Sequence, residues 1–412
     1  MLTFKLAVRN IFRNRRRTLL TALSMVGGYV LMVVSMSMQD GSYDSVLRTY
    51  TKDSSGHIQI NHPSYIEKPT LYKTVPEYRQ LIQQLESLPY VQSVTPRIHS
   101  AALAYGADKT TPGLLVGIDP IREQQTSFLA NKVKEGAFLT GQPDADGYYQ
   151  AMVGKAVAEQ LQLSVGSELV LITQGADGSM ANDVFLVSGV VGARNDAERL
   201  NIYLPMGVLE EFLVMPNQAH RIVILVDDYL DAEGRAEDIR ADLADQLNQH
   251  QLSVAPWQVV EAEFYRLMKV DRQGAVVSLN IVVFLVCIGV LNTILMNILE
   301  RTGEFGVLKA IGTSPSRIFA QILLESLVMA IASCGVGFLI ALPLNYWLAH
   351  YGFALPEPMD VSGIVFTHMT GFMNVPVFLN PILIICGATL VIACIPAYRA
   401  ARIVPLDAMR RL

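Results

Sequence analysis

Four stretches of this chain are apolar enough, and long enough, to cross a bilayer as helices, which takes about 20 apolar residues. They lie at 18–38, 275–299, roughly 318–349 and roughly 375–397. The second is 25 residues without a charge, and the third is interrupted by Glu325 and Pro343. Between the first and second the pattern changes. "GHIQIN" (56–61) reads as a strand, and "VPEYRQLIQQLESL" (75–88) puts Tyr78, Leu81, Ile82, Leu85 and Leu88 on one face of a helix. "VQSVTPRI" and "TPGLLVGID" read as strands. Near the far end "RIVILVD", "DAEGRAEDIRADLADQLNQH" and "LSVAPWQVV" repeat strand, helix, strand. Between these halves, residues 134–205 show short strands and turns, with "ELVLIT" and "VFLVSGVVG" forming a hairpin around the glycine-rich tip "QGADGSMAND".

The pattern predicts an α-helical membrane protein with four transmembrane helices and a large α/β extracytoplasmic domain inserted between helices 1 and 2. That domain would combine a strand–helix–strand subdomain with a β-rich one over about 134–205. The expected order is an interfacial helix (1–17), first span (18–38), ectodomain (39–274), second span (275–299), cytoplasmic connection (300–317), third span (318–349), outer loop (350–374), fourth span (375–397) and cytoplasmic tail (398–412). In 1–17, Phe4, Val8, Ile11 and Phe12 share one face and Lys5, Arg9 and Arg13 the adjacent one, the signature of a helix lying along a leaflet. The first apolar run is too long for a signal-peptide core and no small-residue cleavage site follows, so a retained anchor is expected.

Charge orients the spans. Lys5, Arg9, Arg13, Arg15, Arg16 and Arg17 precede the first span; Arg301, Lys309 and Arg317 lie in the 300–317 connection; Arg399, Arg402, Arg410 and Arg411 follow the fourth span. The 350–374 loop has neither Lys nor Arg. Basic residues stay in the cytoplasm, so both termini and 300–317 are expected there. The segment 39–274 carries 19 Lys/Arg against 31 Asp/Glu, a net of −12, which excludes nucleic acid as a natural partner. All four cysteines (Cys287, Cys334, Cys386, Cys394) fall within the apolar stretches, leaving no disulfide framework for an ectodomain facing an oxidising compartment.

Catalytic chemistry is missing from the motifs. The sequence has no G-x-x-x-x-G-K-[ST], H-E-x-x-H, C-x-x-C or G-x-S-x-G; "VGKAV" lacks the upstream glycine and the hydroxyl of a phosphate loop. No catalytic residue, metal site or bound cofactor is expected, and the chain does not read as an enzyme. Polar residues inside the spans say more, because each is costly in lipid. Glu325 lies two turns into the third span, and Asn280, Asn292 and Asn297 punctuate the second. They either hydrogen-bond between helices or line a path. Ser24 and Gly28, four apart, would let the first span approach a neighbour closely.

The stretch "ERTGEFGVLKAIGTSPSRIF" (300–319) is the strongest candidate site. Phe305, Leu308 and Ile311 recur at i, i+3, i+6; Gly312 ends the helix and Ser314 or Ser316 can cap the next. A plain connection between helices needs about 2–8 residues. This one is long enough to be a docking surface.

"NILERTGEFGVLKAIGTSPSRIFAQILLES" resembles the coupling-helix signature of the FtsX-like permease superfamily, the membrane subunits of mechanotransmission-type ABC transporters. "LAVRNIFRNRRRTLLTALSMVGGY", "IPAYRAARIVPLDAMRR" and "VGKAVAEQLQLSVGSELVLIT" resemble the family's N-terminal helix, C-terminal end and a common ectodomain segment. The resemblance covers the chain and leans toward the lipoprotein-releasing (LolC/LolE-like) permeases, with MacB-type efflux permeases next and FtsX itself, whose ectodomain is smaller, further off. It implies a bacterial inner-membrane permease with a periplasmic domain. Two copies of a separate ABC ATPase carrying ATP and magnesium would drive it, together with a second permease chain, identical or paralogous. In Lol-like systems the cycle extracts a lipoprotein or lipid from the outer leaflet and hands it to a periplasmic carrier. The alternatives are efflux of drugs, peptides or toxins through an adaptor, and FtsX-like control of an envelope hydrolase. The ATPase-coupling role falls on Glu300, Arg301, Glu304, Phe305, Leu308, Lys309, Ile311 and Gly312. A lipid-accepting cavity would be lined by Val33, Met36, Val276, Asn280 and Phe284.

Overall fold

The structure, a computed structural model, describes residues 15–144, 146–194, 196, 198–361 and 364–403. The expected interfacial helix therefore lies, for residues 1–14, outside the described residues, as does the tail from 404 onward. The described chain divides into two compact units. One comprises the residues up to Ser45, Met268–Glu357 and those from Thr367 onward; the other comprises Val46–Leu267 with Pro358–Phe366.

The first unit is built on long helices: Arg15–Tyr50, Ala262–Glu300, Pro315–Tyr351 and Val375–Ala401. Among the described residues these four are long and apolar enough to cross a membrane. The first two outrun their apolar stretches, because no proline lies between Arg15 and Tyr50 or between Ala262 and Glu300 to stop them. Lipid gives no hydrophobic drive for helices to associate, so close approach at small residues does the work. A side chain at Gly28 would meet Val286, one at Gly289 would meet Ser24, and one at Gly337 would meet the Tyr29 ring. The Ser24–Gly28 face of the first helix thus packs on the second. Two clusters fill the unit. One gathers Met25, Val290, Ile294, Ile298, Phe305, Ile318, Ile322 and Ala397; the other gathers Tyr29, Met32, Val33, Cys334, Ala341, Val377 and Ile385. Asn374 caps the fourth helix by accepting from the Val377 amide at 3.0 Å. The segment between the third and fourth helices forms a hairpin, Phe353–Val361 with Ile364–Met369.

The second unit is α/β. Its strands are β1 (Ile58–Asn61), β2 (Val75–Pro76), β3 (Val91–Gly106), β4 (Lys109–Ile118), β5 (Val133–Gly136), β6 (Gln150–Gly154), β7 (Glu168–Gln174), β8 (Met180–Val191), β9 (Asn201–Pro205), β10 (Gln218–Ala219), β11 (Arg221–Val226) and β12 (Ser253–Pro256). Apart from the small β2–β10 pair, they form one sheet in the order β12-β1-β11-β3-β4-β9-β6-β8-β5, with β7 pairing both β3 and β8. That double pairing closes a ring, β3-β4-β9-β6-β8-β7 and back to β3. The ring is all antiparallel except β4–β9 and β6–β8. Closure removes open edges. The strand–helix–strand part and the β-rich part therefore share β3. Its residues 91–97 pair with β11, and its residues 97–106 pair with β4.

Local departures from the sequence pattern have local causes. The helix expected over 75–88 starts at Tyr78, because Val75 and Pro76 pair with β10 and Glu77 adopts φ +52°. Its buried Tyr78, Leu81, Ile82 and Leu85 follow the predicted face. The long acidic helix is two helices, Ala232–Asp242 and Ala244–Gln249, separated at Leu243. The final strand ends at Pro256, where the helix Trp257–Val260 begins.

Candidate functional site

The 300–319 stretch folds as the helix Thr302–Ala310, directly after the second long helix ends at Glu300. Backbone bonds run through the junction, from Arg301 N to Asn297 O at 3.2 Å and from Phe305 N to Arg301 O at 3.0 Å. Its end is a Schellman turn: Gly312, at φ +95°, donates to Lys309 O and Thr313 donates to Leu308 O, both at 3.0 Å. Only glycine takes that backbone conformation without strain. Ser314 then precedes the third long helix, with Pro315 in its first turn. The Ser314 hydroxyl makes no capping bond, so the fixed φ of Pro315 starts that helix.

Three attachments hold the short helix. Arg301 is the first: its Nη1 donates to Glu325 Oε2 at 2.8 Å and its Nε donates to Glu304 Oε2 at 3.0 Å. The guanidinium lies 5.2 Å from the Phe305 ring centroid. Gln321 Nε2 adds a bond to Glu325 Oε1 at 3.3 Å. The Glu325 carboxylate of the third helix is thus the counter-ion of the arginine that precedes the short helix. The second attachment is Lys309, whose ammonium donates to Ala401 O at 3.1 Å and Ile403 O at 2.9 Å. A cation there satisfies carbonyls left open at the end of the fourth helix and complements its dipole. The third is Phe305, 1% exposed, which sits in the cluster contributed by all four long helices.

The apolar stripe read from sequence is divided in space. Phe305 is in the core and Leu308 packs partly against it, while Ile311 is 74% exposed. The outward surface includes Glu300, Val307 (48% exposed), Ala310, Ile311, Gly312, Ser314, Pro315, Ser316 and Arg317. Val307 carried no sequence signal as a surface residue, because nothing in the pattern distinguishes the inward from the outward apolar residues of so short a helix. The pairing of Arg301 with Glu325 had one clue. An ionisable residue within a span seeks a partner, and the connection before it offers Arg301, Lys309 and Arg317, between which the sequence does not choose.

The five residues expected to line a cavity are not together. Val33 is buried with Tyr29, Met32 and Cys334 in the bundle, and Met36 is half-buried. Val276, Asn280 and Phe284, at i, i+4 and i+8, share an exposed face of the second helix. Among the described residues no cluster of His, Cys, Asp and Glu is arranged to hold a metal ion.

Comparison with known proteins places this arrangement. Residues 18–242 match the model of the MacB-like periplasmic core domain, and residues 276–405 match that of the FtsX-like permease C-terminal. The chain is 21% identical to the lipoprotein-releasing system transmembrane protein LolC of Xylella fastidiosa, over 99% of this chain and 98% of that protein. It is 22% identical to the macrolide export ATP-binding/permease protein MacB of a Shewanella species, over 99% of this chain and 60% of that protein's length. The crystal structure of the periplasmic region of MacB from Actinobacillus actinomycetemcomitans superposes with a TM-score of 0.41 and 15% identity, covering 54% of this chain and 98% of that one. With four membrane-length helices and a periplasmic core domain matched over more than half its length, the chain belongs to the MacB-type ABC transporter permease superfamily, in the company of LolC.

Proposed function

We propose that this chain is the permease subunit of a mechanotransmission-type transporter. Two copies of a separate ATPase would drive it from the cytoplasmic side, with both termini of the chain on that side. The observation that carries this is the fastening of the helix Thr302–Ala310. It is continuous with the second long helix, ion-paired to the third through Arg301–Glu325, and bonded to the end of the fourth through Lys309. A push on its outward face reaches those three spans at once, without crossing a flexible joint. The core seats Phe305, and the outward face leaves Val307, Ile311 and Gly312 for the ATPase. Arg301, Glu304, Leu308 and Lys309 act as the frame behind that surface, and Glu300 lies on it. ATP and magnesium bind on the ATPase, and this chain catalyses no bond change itself.

The second permease chain, a copy or a paralogue, covers the exposed apolar face of the second helix, where Val276, Asn280 and Phe284 lie. The cargo is lipoprotein or lipid drawn from the outer leaflet and passed to a periplasmic carrier. The likeness to LolC supports this reading. Ile311→Asp and Val307→Asp test the docking surface. Both side chains are exposed, so insertion and thermal stability stay as in the parent, while ATPase retained on the purified permease falls by about 10-fold or more. Full ATPase retention and transport in both variants would remove the assignment. Co-purification of a periplasmic adaptor, with no lipidated cargo, would move the assignment to export. A cell-wall hydrolase in its place would make the chain a regulator.

A further inference from the structure

We infer that the periplasmic unit holds a binding site for an anionic amphiphile, in a groove beside the gap between β11 and β7. β11 pairs β3 only as far as Arg97, and β7 pairs the same strand only from Leu103. Residues 98–102 of that edge therefore face neither strand. A groove of about 690 Å³ opens over them, within the range of about 300–1,000 Å³ typical of small-ligand sites.

The gap is not vacant backbone waiting for a strand. The His99 amide donates to His220 Nδ1 at 3.0 Å, and Thr173 Oγ1 donates to Ala101 O at 2.6 Å. Side chains have already taken two of the groups on which an added peptide would pair. What the groove offers instead is a wall and a charge. The wall is apolar: Leu103, Leu114 and Ile172 lie side by side on the outer face of the ring, and the first two are exposed. Exposed leucines side by side on a sheet face, rather than scattered, mark a surface meant to be covered.

The charge is Arg221. Its guanidinium lies over the Tyr65 ring at 5.5 Å, and that ring stacks on His220 at 5.3 Å. Among the described residues no carboxylate forms an ion pair with Arg221. In a segment with 12 more acidic than basic residues, a half-buried arginine left without an acid stands apart. The neighbouring imidazoles do not add charge. His220 accepts at Nδ1 and donates from Nε2 to Leu71 O at 3.0 Å, the neutral tautomer. His99 lines the groove, and its Nδ1 is buried without a hydrogen-bond partner. One fixed cation, one unsatisfied imidazole nitrogen and an apolar wall suit a carboxylate or phosphate head with an alkyl chain. The head pairs with Arg221, and a bridging water bonds His99. The chain lies on Leu103, Leu114 and Ile172. This site is independent of the transport assignment, because it uses neither the coupling helix nor the membrane spans.

The test is photolabelling of the full-length protein in phosphatidylcholine nanodiscs with dodecanoic acid bearing a terminal diazirine, the adducts being mapped by mass spectrometry. Adducts are expected on residues 99–103 or 172–174. Arg221→Gln weakens labelling by about 10-fold, the worth of a charge-assisted bond, and Arg221→Lys retains most of it. Leu103→Trp, at an exposed position that leaves the core intact, fills the groove and abolishes labelling. Competition separates the sources of the head group. Unlabelled dodecanoic acid prevailing over dodecyl phosphate points to a free fatty acid, and the reverse points to a phosphate-headed lipid; either supports the site. Equal competition by uncharged dodecanol, adducts confined to other regions, or displacement only by an apolar pentapeptide overturns it. ATPase retention by Arg221→Gln stays normal, so loss of this site and loss of the transport assignment are distinguishable.

Discussion

The two units bury polar groups in different ways. In the periplasmic unit whole charges go inside, each matched to a partner: Arg97 with Glu123, Lys132 with Glu198, Arg79 and the Tyr78 hydroxyl with Glu210. In the membrane unit the fully buried polar residues are small or neutral, Thr21, Ser37, Ser326, Ser333, Thr389 and Asn345. Its one described ion network, Arg301 with Glu304 and Glu325, gathers where the second helix ends and the third begins. The difference follows from the surroundings. A water-facing fold gains stability from apolar burial and can carry the desolvation of a few matched ions. A lipid-facing bundle gains nothing from apolar burial and depends on how closely its helices approach.

The largest expected effect lies in the periplasmic unit. Glu123 is 1% exposed and accepts from Arg97 Nη2 at 2.6 Å, from Arg97 Nε at 3.3 Å and from the Thr95 hydroxyl at 3.1 Å. Glu123→Ala removes the buried carboxylate that accepts these bonds and costs about 3–5 kcal/mol. The double change Arg97→Met with Glu123→Leu returns most of that loss, because two apolar side chains need no partner. Hydrogen-exchange protection of β3 and β4 in the full-length protein reports both. If the double variant is as damaged as the single, the pair contributes more than its own neutralisation, and the contrast with the membrane unit weakens.

The membrane unit gives a smaller effect that discriminates better. Gly335 and Gly337 sit on the same helix two residues apart. A side chain at Gly337 would strike the Tyr29 ring, while one at Gly335 meets nothing within 4 Å. Gly337→Leu is expected to cost about 1–3 kcal/mol by forcing the first and third helices apart, and Gly335→Leu less than about 0.5 kcal/mol. Thermal unfolding in detergent separates them. Equal effects would mean that close approach does not hold this bundle.

Much of this was legible in the sequence. The four apolar stretches became the four long helices, since length and hydropathy leave a bilayer-facing segment few other structures. The face Tyr78, Leu81, Ile82, Leu85 was readable because the helix packs one side on a sheet. The closed ring was not. Local alternation marks β7 and β8 as a hairpin but is silent on β7 also reaching Leu103–Tyr105 of β3, and hence on the gap above Arg221. The candidate site was legible as a segment and not as a surface. Spacing placed Phe305, Leu308 and Ile311 on one stripe, whereas the cluster around Met25 and Ile318 took Phe305 and left Ile311 outside. One-dimensional depth cannot say which way a span is turned, so Val33 lies inside the bundle and Phe284 on an exposed face.

The smallest effect expected is a dependence on pH confined to the periplasmic unit. Burial pushes His57 and His220 down from 6.5 to about 4, and pushes His99 well below its ordinary range, where Arg221 and Arg97 lower it further. Bonds to Val226 and Leu71 oppose this lowering at His57 and His220 without reversing it. An unfolded chain takes up these protons near pH 6.5, while the folded unit resists them until about pH 4. The unfolded state therefore binds more protons between those limits. The stabilisation is complete above about pH 6.5 and is lost as the pH falls toward 4. A tenfold difference in proton affinity is worth about 1.4 kcal/mol, so His57 and His220 each withdraw about 1–2 kcal/mol by pH 5, and His99 acts in the same direction. Ordinary carboxylates titrate mostly below pH 5, so the window from 6.5 to 5 isolates the imidazoles. In hydrogen exchange on the full-length protein, opening of β1 and β11 should become easier across that window, and His57→Gln should remove about a third of the slope. The helices of the membrane unit should not respond over the same range. A flat profile in β1 and β11 would mean that the imidazoles gain protons in the folded unit as readily as in water, and the division between a unit that buries imidazoles and one that does not would lose its support.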